Sequence, residues 1–154
     1  MHIELSQHVD APPDRCFAVW TDFEHAAQII DAIKKIEVLT PGPVGVGTKF
    51  AQTRTMFGKA STETLEVTGY EPDRSVTVEA ESCGARYVCV FTFTPDGAGT
   101  RVRLTVDTQA RTLLAKLMAP LGCLMAGTMK KMMQQELIDA AAYCVRTTAA
   151  PEPA

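Results

Sequence analysis

Arg54 and Glu63 carry the sharpest chemical suggestion in the chain. On alternating strands both share a side with apolar residues such as Phe50, Leu65 and Val67, and a charge drawn onto an apolar face needs a partner. Closing a hairpin at Gly58-Lys59 sets Arg54 opposite Glu63, which predicts a polar anchor for a ligand. The plainer alternative is a hairpin tip in water, with the two forming a cross-strand ion pair worth at most about 1 kcal/mol. Gln52 and Tyr87 share the inward parity and can hydrogen-bond a ligand carbonyl or hydroxyl, although a buried tyrosine hydroxyl is more often satisfied by backbone. Cys89 lies mid-strand with no charged neighbour to lower its pKa, so it reads as an inert core residue and not a nucleophile. His2, His8 and His25 have no metal-ligand spacing with one another or with cysteines, which predicts no metal site. No GxSxG, phosphate loop or dinucleotide glycine fingerprint is present, and the Gly42 to Gly47 run opens no helix, so no cofactor is expected. Catalytic residues stay unassigned.

The elements that must position these groups follow from periodicity. His2 to Val9 alternates, with Ile3, Leu5, Gln7 and Val9 on one side, which predicts a half-buried strand. Ala11-Pro12-Pro13-Asp14 presets the first turn of a helix bearing Phe17 and Trp20, and Thr21-Asp22 is placed to cap a second short helix through Ile30. A short strand at Ile36 and Val38 ends at Thr40-Pro41-Gly42-Pro43. Five further strands are predicted at 48–57, 60–70, 74–81, 86–94 and 100–109, separated by turns at Gly58-Lys59, Glu71-Pro72-Asp73, Ser82-Cys83-Gly84 and Pro95 to Gly99.

The closely spaced turns predict an antiparallel meander, and register tests it. Setting Val67 across from Val78, Val78 across from Cys89 and Cys89 across from Val106 gathers the apolar side chains on one face. Thr62, Thr64, Glu66, Thr77, Glu79, Arg101, Arg103 and Asp107 fall on the other, where only Val88 and Val90 are out of place. Beyond Gln109 the period becomes helical, with Leu114, Met118, Leu121, Met125, Met129, Met132 and Met133, and Pro120 marks the expected start of a long helix reaching Cys144. This methionine-rich helix suits an adaptable pocket wall or an ordinary core equally well.

The whole chain sets bounds on these readings. Its 154 residues, 46% of them hydrophobic, suit one domain over 1–146, and the Pro-containing stretch 147–154 is expected to be a disordered tail. A net charge of -3 without a basic block argues against nucleic acid as a partner. Five cysteines without CxxC spacing read as reduced, and the N-terminal residues do not resemble a secretion signal, so a cytoplasmic location is expected. The longest apolar stretch, Leu113 to Met129, is interrupted by Lys116, Pro120, Gly122, Gly127 and Thr128. A span needs about 20 mostly apolar residues, so the stretch reads as a buried helix without stable membrane insertion.

The order strand, two short helices, six strands and long helix resembles the SRPBCC or START-like helix-grip superfamily, which includes lipid-transfer domains, the birch-pollen-allergen class and polyketide cyclases. The resemblance rests on Val9-Asp10-Ala11-Pro12-Pro13-Asp14-Arg15, Ile33 to Leu39, Val46-Gly47-Thr48-Lys49-Phe50, Tyr70-Glu71-Pro72-Asp73-Arg74, Phe93-Thr94-Pro95-Asp96-Gly97 and Gly99-Thr100-Arg101-Val102. These are turn and packing signatures, so they speak to fold and not to chemistry. The resemblance implies an α+β helix-grip fold, a curved antiparallel seven-stranded sheet wrapped round a long C-terminal helix.

The leading expectation is a carrier or binder of a hydrophobic small molecule, lipid-like or aromatic. Gln52, Arg54, Glu63 and Tyr87 would give specificity, with Phe50, Phe91, Phe93, Met125 and Met129 as apolar walls. The second is a polyketide cyclase or dehydratase, weakened because no inward histidine is predicted and Glu63, the one acidic candidate, is tied to Arg54. The third is a protein-interaction module with a vestigial pocket, which an exposed apolar patch would favour. The oligomeric state is left open.

Overall fold

A computed structural model describes residues 2–56, 58–82 and 84–149. The expectations for Phe57, Cys83 and residues 150–154 lie outside the described residues, as do those for the side chains of Met56 and Cys123. Strand β1 (His2–Val9) leads into helix α1 (Pro13–Trp20), a 3-10 turn at Phe23–His25 and the short helix α2 (Ala26–Ile29). Strands β2 (Ile33–Val38), β3 (Lys49–Met56), β4 (Lys59–Glu71), β5 (Ser75–Ser82), β6 (Ala85–Asp96) and β7 (Gly99–Ala110) follow, and helices α3 (Leu113–Leu124) and α4 (Ala126–Ala149) complete the fold.

The strands form one seven-stranded antiparallel sheet in the order β1-β7-β6-β5-β4-β3-β2. Consecutive hairpins build the meander, and the α1–α2 segment carries the chain from one edge, β1, to the other, β2. The pairs Val67 with Val78, Val78 with Cys89 and Cys89 with Val106 occur as the alternation predicts. Phe50, Val67, Val76, Val78, Phe93, Val102, Leu104 and Val106 are consequently all buried on one face. On that face Phe23 stacks on Phe50 with ring centroids 4.3 Å apart, and Phe17 meets Tyr70 and Phe93 edge-on. Helix α4 adds Leu137, Ala140, Ala141 and Cys144 to the same core. Full burial of a side chain such as Leu137 contributes about 1.5–3 kcal/mol.

Local chemistry departs from the expected pattern in five places. The β3–β4 hairpin pairs Gln52 with Glu63 and Arg54 with Ser61, two residues away from the expected register. Because the strand period is two, this slip leaves every side chain on its expected face. In β4 a bulge between Val67 and Gly69 shifts the parity, so Tyr70 joins the core and Gly69 stands beside Thr77. A Cβ at Gly69 would lie 2.8 Å from Thr77 Oγ1, which explains the glycine and gives the sheet a point at which to bend.

Neither Thr21 nor Asp22 makes a side-chain cap on the second helix: the Thr21 hydroxyl turns back to donate to the Phe17 carbonyl at 2.7 Å, and the Asp22 carboxylate faces His25 Nδ1 at 2.9 Å. The expected boundary at residue 146 falls inside α4, which continues to Ala149. Thr147 is anchored there, accepting from Arg15 Nη2 and donating to the Tyr143 carbonyl.

The largest correction concerns Leu113 to Met129, expected as one buried helix starting near Pro120. Two helices form instead, with Pro120 inside α3 and a break at Met125, and their axes bend by 87°. The leucines of α3 face solvent. Among the described residues, no single helix is long and apolar enough to cross a membrane.

Candidate functional site

The concave face of the sheet, the α1–α2 segment and α4 enclose a cavity of about 220 Å3. Its walls are Phe50, Leu65, Val78, Phe91, Leu104 and Val106 from the strands, Trp20, Phe23, Ile29 and Ile30 from the α1–α2 segment, and Met129, Met133, Leu137 and Ala140 from α4. Strand residues arrive there by the two-residue alternation, and α4 residues by three- and four-residue steps along one stripe.

Seven of the nine expected ligand-binding residues line this space: Phe50, Gln52, Arg54, Glu63, Tyr87, Phe91 and Met129. Phe93 has the right parity but lies farther along β6, buried under α1 with its ring edge-on to Phe17 and Trp20. Met125 falls at the break between α3 and α4 and is not among the lining residues.

The polar end of the cavity is organised by Arg54. Its Nη1 donates to Glu136 Oε1 at 2.6 Å, and both side chains are only 18% exposed. With the Gln52 amide turned to meet the guanidinium, its Oε1 accepts from Arg54 Nε at 3.0 Å and from Nη2 at 2.8 Å. Three of the five N–H donors are thereby engaged, leaving two for an incoming oxygen. Glu63 faces Gln52 across the β3–β4 ladder and lines the same end. The expected Arg54–Glu63 pair is thus replaced by Arg54 with Glu136, and the anchor draws on the helix as well as the sheet.

Glu136 was missed in the sequence, yet it sits seven residues after Met129 and three after Met133, on the same α4 stripe. Burial pushes its carboxyl above the usual carboxylate range, and the charge and hydrogen bond of Arg54 pull it part of the way back. Desolvation outweighs Arg54, so the carboxyl holds its proton more tightly than a free glutamate does. Cys89 lines the cavity too, but burial pushes its thiol up to about 11, which keeps it neutral and non-nucleophilic. None of the histidines lines the cavity: His2 bonds Asp107, His8 bridges Asp96 and Asp10, and His25 bonds Asp22.

Solved structures with the same architecture include TTHA0849 from Thermus thermophilus, at 18% identity and a TM-score of 0.81, covering 97% of this chain and 100% of that one. The Zhui aromatase/cyclase from Streptomyces sp. R1128 superposes at 19% identity and a TM-score of 0.79, covering 100% of this chain and 99% of its own. Ara h 8.0201 matches at 17% identity and a TM-score of 0.75, over 95% of this chain and 98% of its own. At such identities the likeness establishes the helix-grip fold alone. No match is found among curated proteins. The family described as polyketide cyclase / dehydrase and lipid transport matches residues 1–144, nearly the whole chain, and the protein belongs to it.

Proposed function

We propose that this protein binds a small hydrophobic molecule bearing an oxygen acceptor, with the apolar body held between sheet and α4 and the acceptor on Arg54. The observation that carries this reading is an apolar cavity with one charged cluster at one end. Its volume of about 220 Å3 lies below the roughly 300–1,000 Å3 of pockets for drug-sized ligands. That favours a compact aromatic or short-chain ligand over a long lipid. Met129 and Met133, flexible thioethers in the wall, supply the means to enlarge the space. A cytoplasmic setting is part of the proposal, supported by the reduced thiols of Cys16 and Cys89.

Native mass spectrometry of the protein from its own host tests the reading, with Met133→Trp filling the cavity as the control. A discrete small-molecule adduct that is lost in the variant supports it. A clean apo mass, together with no saturable binding of an anilinonaphthalene sulfonate probe, overturns it.

A second reading, a cyclase or dehydratase, gains support from Glu136. The cavity contains a carboxyl whose affinity for protons is raised by burial, as a general acid requires, and the Zhui aromatase/cyclase shares the fold. On that reading Glu136→Gln abolishes turnover of a candidate substrate and leaves its binding intact. Equal loss of both returns Glu136 to the role of anchor.

A further inference from the structure

Six of the eleven exposed large hydrophobic side chains among the described residues lie on α3, each between 49% and 83% exposed: Leu113, Leu114, Leu117, Met118, Leu121 and Leu124. At 3.6 residues per turn they fall within an arc of about 140°. Ala115, Lys116 and Ala119 occupy the opposite side. Concentrated apolar surface of this kind marks a contact, and the surrounding charge identifies what it contacts. Between Asp107 and Glu136 the chain has no acidic residue and four basic ones, Arg111, Lys116, Lys130 and Lys131, in a protein whose net charge is -3. All four are exposed, and none enters an ion pair among the described residues.

We propose that α3 docks on an anionic lipid surface, lying in the plane of the headgroups with its leucines in the acyl boundary and the four cations against lipid phosphates. A wide apolar arc with basic residues around it is the signature of a helix that lies on a membrane. Its twelve residues reach about 18 Å, well short of a hydrocarbon core of roughly 30 Å, so it lies on the bilayer and does not span it. A second copy of the chain fits less well, because a two-fold contact through α3 sets the same four cations against themselves. Lys130 and Lys131 share the first turns of α4 with Met129 and Met133 of the cavity wall, so the docked face adjoins the cavity. Ligand exchange with the bilayer would rest on the binding reading above; the docking itself does not.

Vesicle co-sedimentation of the full chain tests the proposal, comparing phosphatidylcholine alone with phosphatidylcholine containing about one phosphatidylglycerol in three. Binding is expected to the anionic vesicles only, and to weaken as salt is raised. Lys130→Gln/Lys131→Gln should weaken it by about fivefold per lysine, or about 25-fold together. Leu117→Gln/Leu121→Gln should abolish it with unchanged thermal melting, since both side chains are exposed. Failure to bind either vesicle, equal binding to both, or sedimentation-velocity dimers dissolved by the leucine variant would each overturn the assignment, the last transferring the face to a second copy.

Discussion

Replacing Arg54 by methionine leaves Glu136 in the cavity without its counter-charge. Breaking a fully buried pair costs about 3–5 kcal/mol. With both side chains 18% exposed, a loss of about 2–4 kcal/mol is expected at pH 7. At about 2–4 °C per kcal/mol for a chain of this size, the melting temperature falls by roughly 4–16 °C. Glu136→Leu strands the guanidinium, but Gln52 still accepts from it, so its cost should fall at the lower end.

The double variant Arg54→Met/Glu136→Leu removes both charges and both desolvation costs, and should recover to within about 1 kcal/mol of the wild type or exceed it. Urea unfolding of all four proteins gives the coupling energy, expected at about 2 kcal/mol or more. The pH dependence has a definite sign. Glu136 binds its proton more tightly folded than unfolded, so its contribution is favourable at low pH and lost as pH rises from the unfolded value of 4.5 through the raised folded one. Removing Arg54 takes away the influence that lowers this pKa, so the penalty of Arg54→Met must shrink between pH 7 and pH 5. Single variants costing under about 1 kcal/mol each, with an additive double variant, would mean a solvent-screened pair and refute the picture of a desolvated anchor.

Other consequences can be checked directly. Cys89, its thiol pushed up to about 11, should resist iodoacetamide at pH 8 in the folded protein and react on unfolding, as peptide mapping will read. His8 has its pKa raised first by Asp96 and then by Asp10, so its stabilising contribution is complete below the unfolded value and lost as pH climbs through the folded one. The urea midpoint of His8→Gln should lack that loss. Leu137→Ala, at a site 1% exposed, should cost about 2–5 kcal/mol in urea unfolding. Leu117→Ala, 70% exposed on α3, should change stability by no more than about 0.5 kcal/mol.

The sheet was legible because strand parity is robust: a two-residue slip in β3–β4 still delivered Gln52, Arg54 and Glu63 to the cavity. Partner identity is less forgiving, and the same slip assigned Arg54 to the wrong carboxylate. Glu136 stayed hidden because a lone glutamate among Gln134, Gln135 and Asp139 on a helix resembles a solvated face until the Met129 and Met133 stripe is extended through it. Tyr70 reaches the core only through a bulge that inverts the strand parity, for which Gly69 is the one local signal. The exposure of α3 could not be read at all, since periodicity reports that a helix has an apolar face and not whether the fold offers anything to cover it.

Strand β2 ends the sheet with only β3 beside it, leaving one rank of main-chain donors and acceptors open to a foreign strand. Lys34, Lys35 and Glu37 stand exposed along that rank, and a bulge between Ile33 and Lys35 puts it out of step with any regular partner. Charge and irregularity together act as a gatekeeper against edge-to-edge polymerisation, so a chain that displays a bare leucine helix can still avoid growing into fibrils through its sheet.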